Sequence, residues 1–412
     1  MYRTVCAWAM LCVLLAFGSA GASDYSLEIF GNANMDETID ERDITYVEGI
    51  IKGTNAATNL SDANYDGKVD EKDITQIEQT ISGEEKEITI ICNPPNGKIV
   101  TIKKPVERIA VLTPDSAEAL VALDSEDKVV GVPNGLTPME LTFPLLSKLQ
   151  AVAAGHEPDC EAIINLNPDV IITYGSSPDP SKLDDNLEGT NITVIRLDCW
   201  KPEYITGDIK KLGYMLGKET NADELIAFQT KYLEIIKDRL EEIPEDERPR
   251  VYLEGYGDYS TWSKGWGIHW LCALAGGTNI AADLPGSNPE IDSEWVLEQN
   301  PDIIVKVTSA SVAGYEITDH SQIKEIWEAM ISRPGWDSTI AVNNEKVYAM
   351  SRDMCYGTDY VIGLIYLAKW FHPDLFEDLD PQAIHQEYLT RFQHLDYDLD
   401  KHGVFVYPPL EE

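Results

Sequence analysis

Residues 159–172 and 292–305 are two versions of one segment, set a constant 133 positions apart. Each opens on an aspartate (Asp159, Asp292), carries a glutamate two places on (Glu161, Glu294), and passes through Asn167, Pro168 and Asp169, or Asn300, Pro301 and Asp302, into a β-branched apolar run. An aspartate ahead of a short periodic stretch is a helix N-cap, and the residue before a proline is pushed out of the helical region. The run that follows is too uniformly apolar for a strand with one wet face, so it belongs to a buried parallel sheet. A helix-turn-strand unit written twice, this far apart, constrains the chain to two similar α/β lobes. Each lobe then presents one carboxylate in the first turn of a helix.

The 412 residues, 43% of them hydrophobic, hold enough apolar material for two or three domains. At the front, Arg3, an apolar stretch over 5–17 and the small residues 20–22 follow the plan of a secretory signal peptide, with cleavage expected near Ala22. Cys12 lies inside that stretch, so a lipid-modified cysteine at the mature N-terminus is not expected. No later run reaches the roughly 18 apolar residues of a membrane span. The expected mature chain is exported, secreted or held at the cell surface, and acts as a monomer. Losing the leader removes Arg3 and no acid, which takes the formal charge from −39 to −40. That balance excludes nucleic acid and anionic membranes as partners. Of seven cysteines, five survive maturation (Cys92, Cys160, Cys199, Cys272, Cys355), which allows at most two disulfides of unreadable pairing.

Between 30 and 83 a second repeat runs at an offset of 30 residues. Its first copy places Asn32, Asn34, Asp36, Thr38, Asp40 and Asp43, and its second Asp62, Asn64, Asp66, Lys68, Asp70 and Asp73, at loop positions 1, 3, 5, 7, 9 and 12. That is the ligand spacing of an EF-hand-type calcium loop, where the cation takes about six to eight oxygens and position 7 offers a backbone carbonyl. The second loop has Gly67 at the sharp turn, whereas the first has Glu37 there, so the first is expected to bind calcium more weakly. With aspartate at position 12, one helix per loop and the paired endings Gly53 and Gly83, residues 24–84 resemble a type I dockerin. The resemblance implies calcium as a cofactor and a cohesin-bearing protein as partner, met through Glu41, Arg42, Glu71 and Lys72. A module held together by calcium without a cohesin is the other reading.

Strand-like runs at 88–91, 98–102 and 109–112, a helix over 116–123 and a strand over 128–132 make residues 87–218 an α/β lobe, the first two runs being edge strands. Over 221–243, Leu225, Phe228, Tyr232, Ile235, Ile236, Leu240 and Ile243 recur at intervals of three and four before Pro244. This predicts one amphipathic helix within residues 219–244, roughly 33 Å long at about 1.5 Å per residue, joining the lobes with limited hinge motion. The second lobe occupies 248–412. Gly97 through Ile109, the paired Asn-Pro-Asp units, Ala275 through Asn279 and Asn344 through Tyr348 together resemble a class III substrate-binding protein of an ABC importer. The resemblance implies two Rossmann-like lobes, a cargo of ferric siderophore, haem or corrinoid, and an ABC permease met through one glutamate per lobe. Those glutamates fall on Glu161 and Glu294, the pair marked independently by the internal repeat.

Ligands of open α/β sheets bind beyond the carboxyl ends of the strands. The loops expected there carry Thr113, Asp115, His156, Tyr174, Trp200, Tyr256, Tyr259, Trp262, Trp266, Arg352 and Tyr356. Aromatic faces suit a large planar chelate, and Arg352 suits a carboxylate or phosphate on it. The histidines are scattered without the spacing of a metal site, which favours an intact complex over a bare cation. The expected function is capture of a metal chelate and its delivery to a permease, without covalent chemistry. The alternatives are a dockerin-bearing extracellular enzyme, although neither a Gly-x-Ser-x-Gly nor a His-Glu-x-x-His motif occurs, and the binding component of a sensor.

Overall fold

The repeated units fold alike because each closes on the same backbone bonds. In the computed structural model, which describes residues 25–410, Asp159 caps the helix Cys160–Leu166 by accepting from Ala162 N at 2.9 Å, and Asp292 caps Ser293–Gln299 through Trp295 N at 2.8 Å. The expected leader, 1–22, lies outside the described residues. Asn167 and Asn300 end these helices in the left-handed conformation, at φ 47° and 45°, which asparagine tolerates better than most side chains. Asp169 Oδ2 then accepts from Glu107 N and Arg108 N, and Asp302 Oδ2 from Arg250 N, so each Asn-Pro-Asp unit pins the start of the neighbouring strand.

The first lobe is a six-stranded sheet in the order β6-β5-β4-β3-β7-β8, built from Glu157–Pro158 (β6), Ala151–Ala154 (β5), Val129–Pro133 (β4), Ile109–Val111 (β3), Val170–Thr173 (β7) and Thr193–Arg196 (β8). All pairs are parallel except β5 with β6. The second lobe orders Thr278–Asn279 (β10), Arg250–Glu254 (β9), Ile303–Thr308 (β11), Val347–Ser351 (β12) and Val406–Tyr407 (β13), with only β13 antiparallel. Strands β7 and β11 are buried along their whole length, as their apolar runs demand. Between the lobes runs the helix Glu219–Leu240, burying Leu225, Phe228, Tyr232 and Ile236.

One expectation needs correction. The runs at 88–91 and 98–102 are not edge strands of the first sheet: Glu87–Ile91 (β1) and Ile99–Lys103 (β2) pair antiparallel as a separate two-stranded sheet. The hairpin is held beside β8, with Asn93 N donating to Arg196 O at 2.9 Å, and its other side meets the front module. There Phe30 N donates to Thr89 O at 2.9 Å and Ile91 N to Glu28 O at 3.0 Å. Leu27, Ile29, Val47 and Ile77 of the module share one continuous apolar core with Ile88, Ile90, Ile205, Ile209 and Leu212. The Tyr214 hydroxyl accepts from Ile39 N at 3.0 Å, and Lys211 Nζ meets Glu28 at 3.0 Å. Residues 25–84 are therefore built onto the first lobe rather than strung ahead of it.

Within the module, Asp40 and Asp70 cap the helices Glu41–Ile51 and Glu71–Ser82, with Asp43 and Asp73 reaching back to the cap backbone. Asp43 accepts from Asn34 N and Asp40 N, and Asp73 from Asn64 N and Asp70 N. Burial raises both carboxyls, Asp43 to about 6. Arg42 spans Asp36 at 3.0 Å and Asp40 at 2.8 Å, while Lys72 meets Asp66 at 3.2 Å. The loops thus satisfy their own carboxylates with amides and cations. Among the described residues, no group of three or more His, Cys, Asp and Glu side chains gathers so as to hold a metal ion. Among the described residues, Cys92, Cys160, Cys199, Cys272 and Cys355 are all free thiols, four of them buried.

Candidate ligand-binding cleft

The helix Pro114–Ala122 starts directly beyond β3 and delivers Asp115 and Glu118 to the junction between the lobes. From the other side, the turn after β12 brings Arg352, Asp353, Tyr356 and Asp359 to the same place, and the helix Pro381–Arg391 adds Tyr388. These residues line an interlobe cavity of about 210 Å³. Beside it, Trp200 stands edge-on to the lining residue Tyr356 at 5.9 Å and to Tyr174 at 6.4 Å between ring centres, Trp200 and Tyr174 themselves lying outside the cavity lining. The Tyr174 hydroxyl donates to Asp115 Oδ2. Arg352 stands exposed at the mouth, its guanidinium 5.8 Å from the Tyr256 ring and 5.7 Å from that of Tyr356. Arginine over tyrosine faces leaves its donors available to an incoming group.

The base is a cross-lobe network. Glu118 Oε1 accepts from Thr358 Oγ1 at 2.8 Å and from the Tyr388 hydroxyl, and Gln393 Nε2 donates to Tyr388 at 2.8 Å. Glycine is required at 357, where φ is 87° and a Cβ would stand 2.2 Å from Glu118 Oε2. Asp359 Oδ2 accepts from the Tyr315 hydroxyl at 3.1 Å, which also lies 2.7 Å from His385 Nε2. Burial pulls His385 down to about 3, so it stays neutral. Burial raises the carboxyls of Asp115, Glu118 and Asp359, and lifts Asp353 to about 6. Four acids line the cavity against one cation, Arg352.

Of the expected wall, Asp115, Tyr174, Trp200, Tyr256, Arg352 and Tyr356 come together. His156 lies beside them, 6.5 Å from Tyr174 between ring centres, exposed and bonded through Nδ1 to Ser177 Oγ at 2.9 Å. Thr113 and Tyr259 do not join them, and Trp262 touches them only through Tyr256, at 6.2 Å between ring centres. Thr113 is buried as the cap of the helix Pro114–Ala122. Tyr259 covers Arg333 at 4.4 Å, and Trp262 is buried in the core, its indole filling the space over Gly267. Trp266 is 54% exposed and is not among the residues lining the cavity. Glu161 and Glu294 are both exposed on their helices.

Glu118, Tyr315, Asp359, Tyr388 and Gln393 were not expected from the sequence. Two of them carried a signal. Glu118 is the one charged residue in the last six of the helix Pro114–Ala122, and Asp359 directly precedes the wholly apolar start of Tyr360–Phe371. A lone carboxylate in such a setting is buried more often than its type suggests and needs partners.

The profile of the periplasmic binding protein family matches residues 109–354, more than half of the chain. The chain belongs to that family. An uncharacterized ABC transporter substrate-binding lipoprotein of Bacillus subtilis, YvrC, is 27% identical over 285 residues, covering 68% of this chain and 84% of the relative. The molybdate-binding protein MolA of Haemophilus influenzae is 23% identical over 332 residues, covering 73% and 90%. Among solved structures, the TroA-like periplasmic binding protein FepB of Veillonella parvula superposes with a TM-score of 0.64 at 27% identity, covering 77% of this chain and 98% of the other. These relatives are named as binding proteins, which favours the binding reading over the enzyme alternative. The match leaves residues 25–84 outside the family profile. Among the described residues, no helix is long and apolar enough to cross a membrane.

Proposed function

We propose that this protein captures a metal chelate between its two lobes and hands it to an ABC permease that recognises Glu161 and Glu294. The observation that carries the reading is that Tyr174 and Trp200 from one lobe meet Tyr356 and Arg352 from the other beside the interlobe cavity that Tyr356 and Arg352 line. Flat aromatic faces and a partly free guanidinium suit a large delocalised ligand with acidic substituents. A cavity of about 210 Å³ is smaller than the roughly 300–1,000 Å³ of drug-sized pockets, so a macrocycle requires the lobes to part. The oxyanion named for the Haemophilus relative suits this cleft poorly, because four carboxyl groups line it. Titrating tryptophan fluorescence with ferric siderophores, haem, cobalamin and cobinamide tests the reading. Saturable quenching by one class, lost in Trp200→Ala, is the expected result; no response across the panel overturns it.

Calcium is part of the same proposal. The second loop is the better candidate, with Gly67 turning at φ 89° and Asp62, Asn64, Asp66 and Asp73 as the side chains that calcium would have to draw together, since they are not gathered around a metal position. The first substitutes Asn32, whose amide is tied to Leu27 O at 2.8 Å and Asp36 O at 2.6 Å. Binding would draw Asp36 from Arg42 and Asp66 from Lys72, leaving Glu41, Arg42, Glu71 and Lys72 on the open side of the module for a cohesin-bearing partner. Because the module shares the first lobe's core, chelating calcium is expected to lower the melting temperature of the whole protein by several degrees, with recovery on adding calcium back. Identical melting curves with and without chelator would remove calcium from the account.

A further inference from the structure

The acids at the base of the cleft are more than the fold requires. Four carboxyl groups, Asp115, Glu118, Asp353 and Asp359, face the cavity, and the one cation that lines it, Arg352, stands at the mouth beside Tyr256 and Tyr356. Buried carboxylates normally take partners for both oxygens. Here Asp359 Oδ1 has no hydrogen-bond donor, although Asp359 is only 2% exposed. Nor has Gln393 Oε1, in a residue 3% exposed. Both residues line the cavity, and both orphaned atoms are acceptors. Tyr315, Tyr356 and Tyr388 contribute aromatic rings to the same walls.

Two unpartnered acceptors beside four carboxyls call for a group that brings donors, and a cationic donor suits them best. A bare metal ion is a poor candidate, since no three His, Cys, Asp or Glu side chains among the described residues gather so as to hold one. Carboxyls that ring a space without converging suit an extended donor. An alkylammonium offers three N–H bonds around one charge and is also attracted to tyrosine faces.

We infer that the base of the interlobe cavity, at Glu118, Asp359 and Gln393, receives an organic ammonium group carried by the cargo. This rests on the binding-protein reading above and narrows it: the chelate or small molecule taken up bears a protonated amine that enters first, while Arg352 meets an acidic or delocalised part at the mouth. The site therefore selects against anionic ligands of similar size.

The test uses the full mature protein and three probes of matched size: propylammonium chloride, sodium propionate and propanol, at constant ionic strength and pH 7.5. Propylammonium is expected to raise the melting temperature in a saturable way, with propionate and propanol inactive. The isosteric Glu118→Gln and Asp359→Asn variants should each weaken propylammonium binding at least tenfold. Equal stabilisation by propanol or propionate would overturn the inference, as would an ammonium effect that is absent from the wild type or unchanged in both variants. The wild-type series alone decides the matter if a variant fails to fold. Because no chelate is present, failure here leaves the fluorescence panel standing; an unresponsive panel beside a positive ammonium series would remove only the chelate reading.

Discussion

Reversing both lobe carboxylates, Glu161→Arg with Glu294→Arg, is expected to abolish permease-dependent uptake while changing ligand affinity by less than about twofold. Both side chains are exposed, each in the first turn of a helix whose aspartate cap is already satisfied by the backbone. Neither lines the cleft, so reversal has no route to the bound ligand except through docking. Losing one partner of an interfacial charge pair costs roughly 2–5 kcal/mol, and reversal adds repulsion. Each single reversal should therefore reduce uptake by at least tenfold. Uptake into vesicles carrying the permease, measured beside equilibrium binding, checks this. Unimpaired transport by the double variant would refute the docking role, and a parallel loss of affinity would show that the helices serve the cleft instead.

The second large effect is on stability. Glu254, at the end of β9, is fully buried and takes Lys306 Nζ at 2.9 Å and both Arg333 nitrogens at 2.7 and 3.0 Å, along with the Tyr252 hydroxyl at 2.9 Å. Arg333 is itself stacked against Tyr259 and Trp336, at 4.4 and 4.7 Å from their ring centres. Glu254→Gln leaves the buried Lys306 and the partly buried Arg333 facing a neutral group, a loss of about 3–5 kcal/mol. For a domain of this size that is a fall in melting temperature of roughly 10 °C. Asp258 touches the same Arg333 at 2.8 Å but has a side chain 75% exposed, so Asp258→Asn should cost less than about 1 kcal/mol. Burial pushes the Glu254 carboxyl up, but Arg333 and Lys306 more than reverse this and hold it below its ordinary value. A lowered carboxyl stabilises above its unfolded value and loses that contribution as pH falls through the folded one. The gap between wild type and Glu254→Gln should accordingly narrow on acidification. If the two variants melt together at neutral pH, the cluster is not what holds the second lobe.

The two lobes were legible because their signals are local. The aspartate caps, the Asn-Pro-Asp turns and the apolar strand runs each act within about ten residues, and the spacing along Glu219–Leu240 needs only one helix. The hairpin β1–β2 was misassigned because pairing partners are not written in a strand's own sequence. Half of the cleft was legible as aromatic loops. Which rings reach it was not: Trp262 is drawn into the core over Gly267, and Tyr259 turns to Arg333, both decided by residues distant from the cleft. Glu118 and Glu254 look like surface acids until the elements that bury them are assembled, since Thr358, Tyr388 and Arg333 lie from 79 to 270 positions away.

The attachment of the front module bears on which half of the molecule can travel. The chain crosses between lobes along Glu219–Leu240, and the bonds of Phe30 to Thr89, Ile39 to Tyr214 and Glu28 to Lys211 tie residues 25–84 to the first side of that crossing. For a protein held by its front module, any change in lobe spacing is a displacement of the second lobe alone. On the docking proposal, Glu161 would be a stationary landmark and Glu294 a moving one, and the loaded state would be announced to a membrane partner as the distance between a fixed charge and a travelling charge.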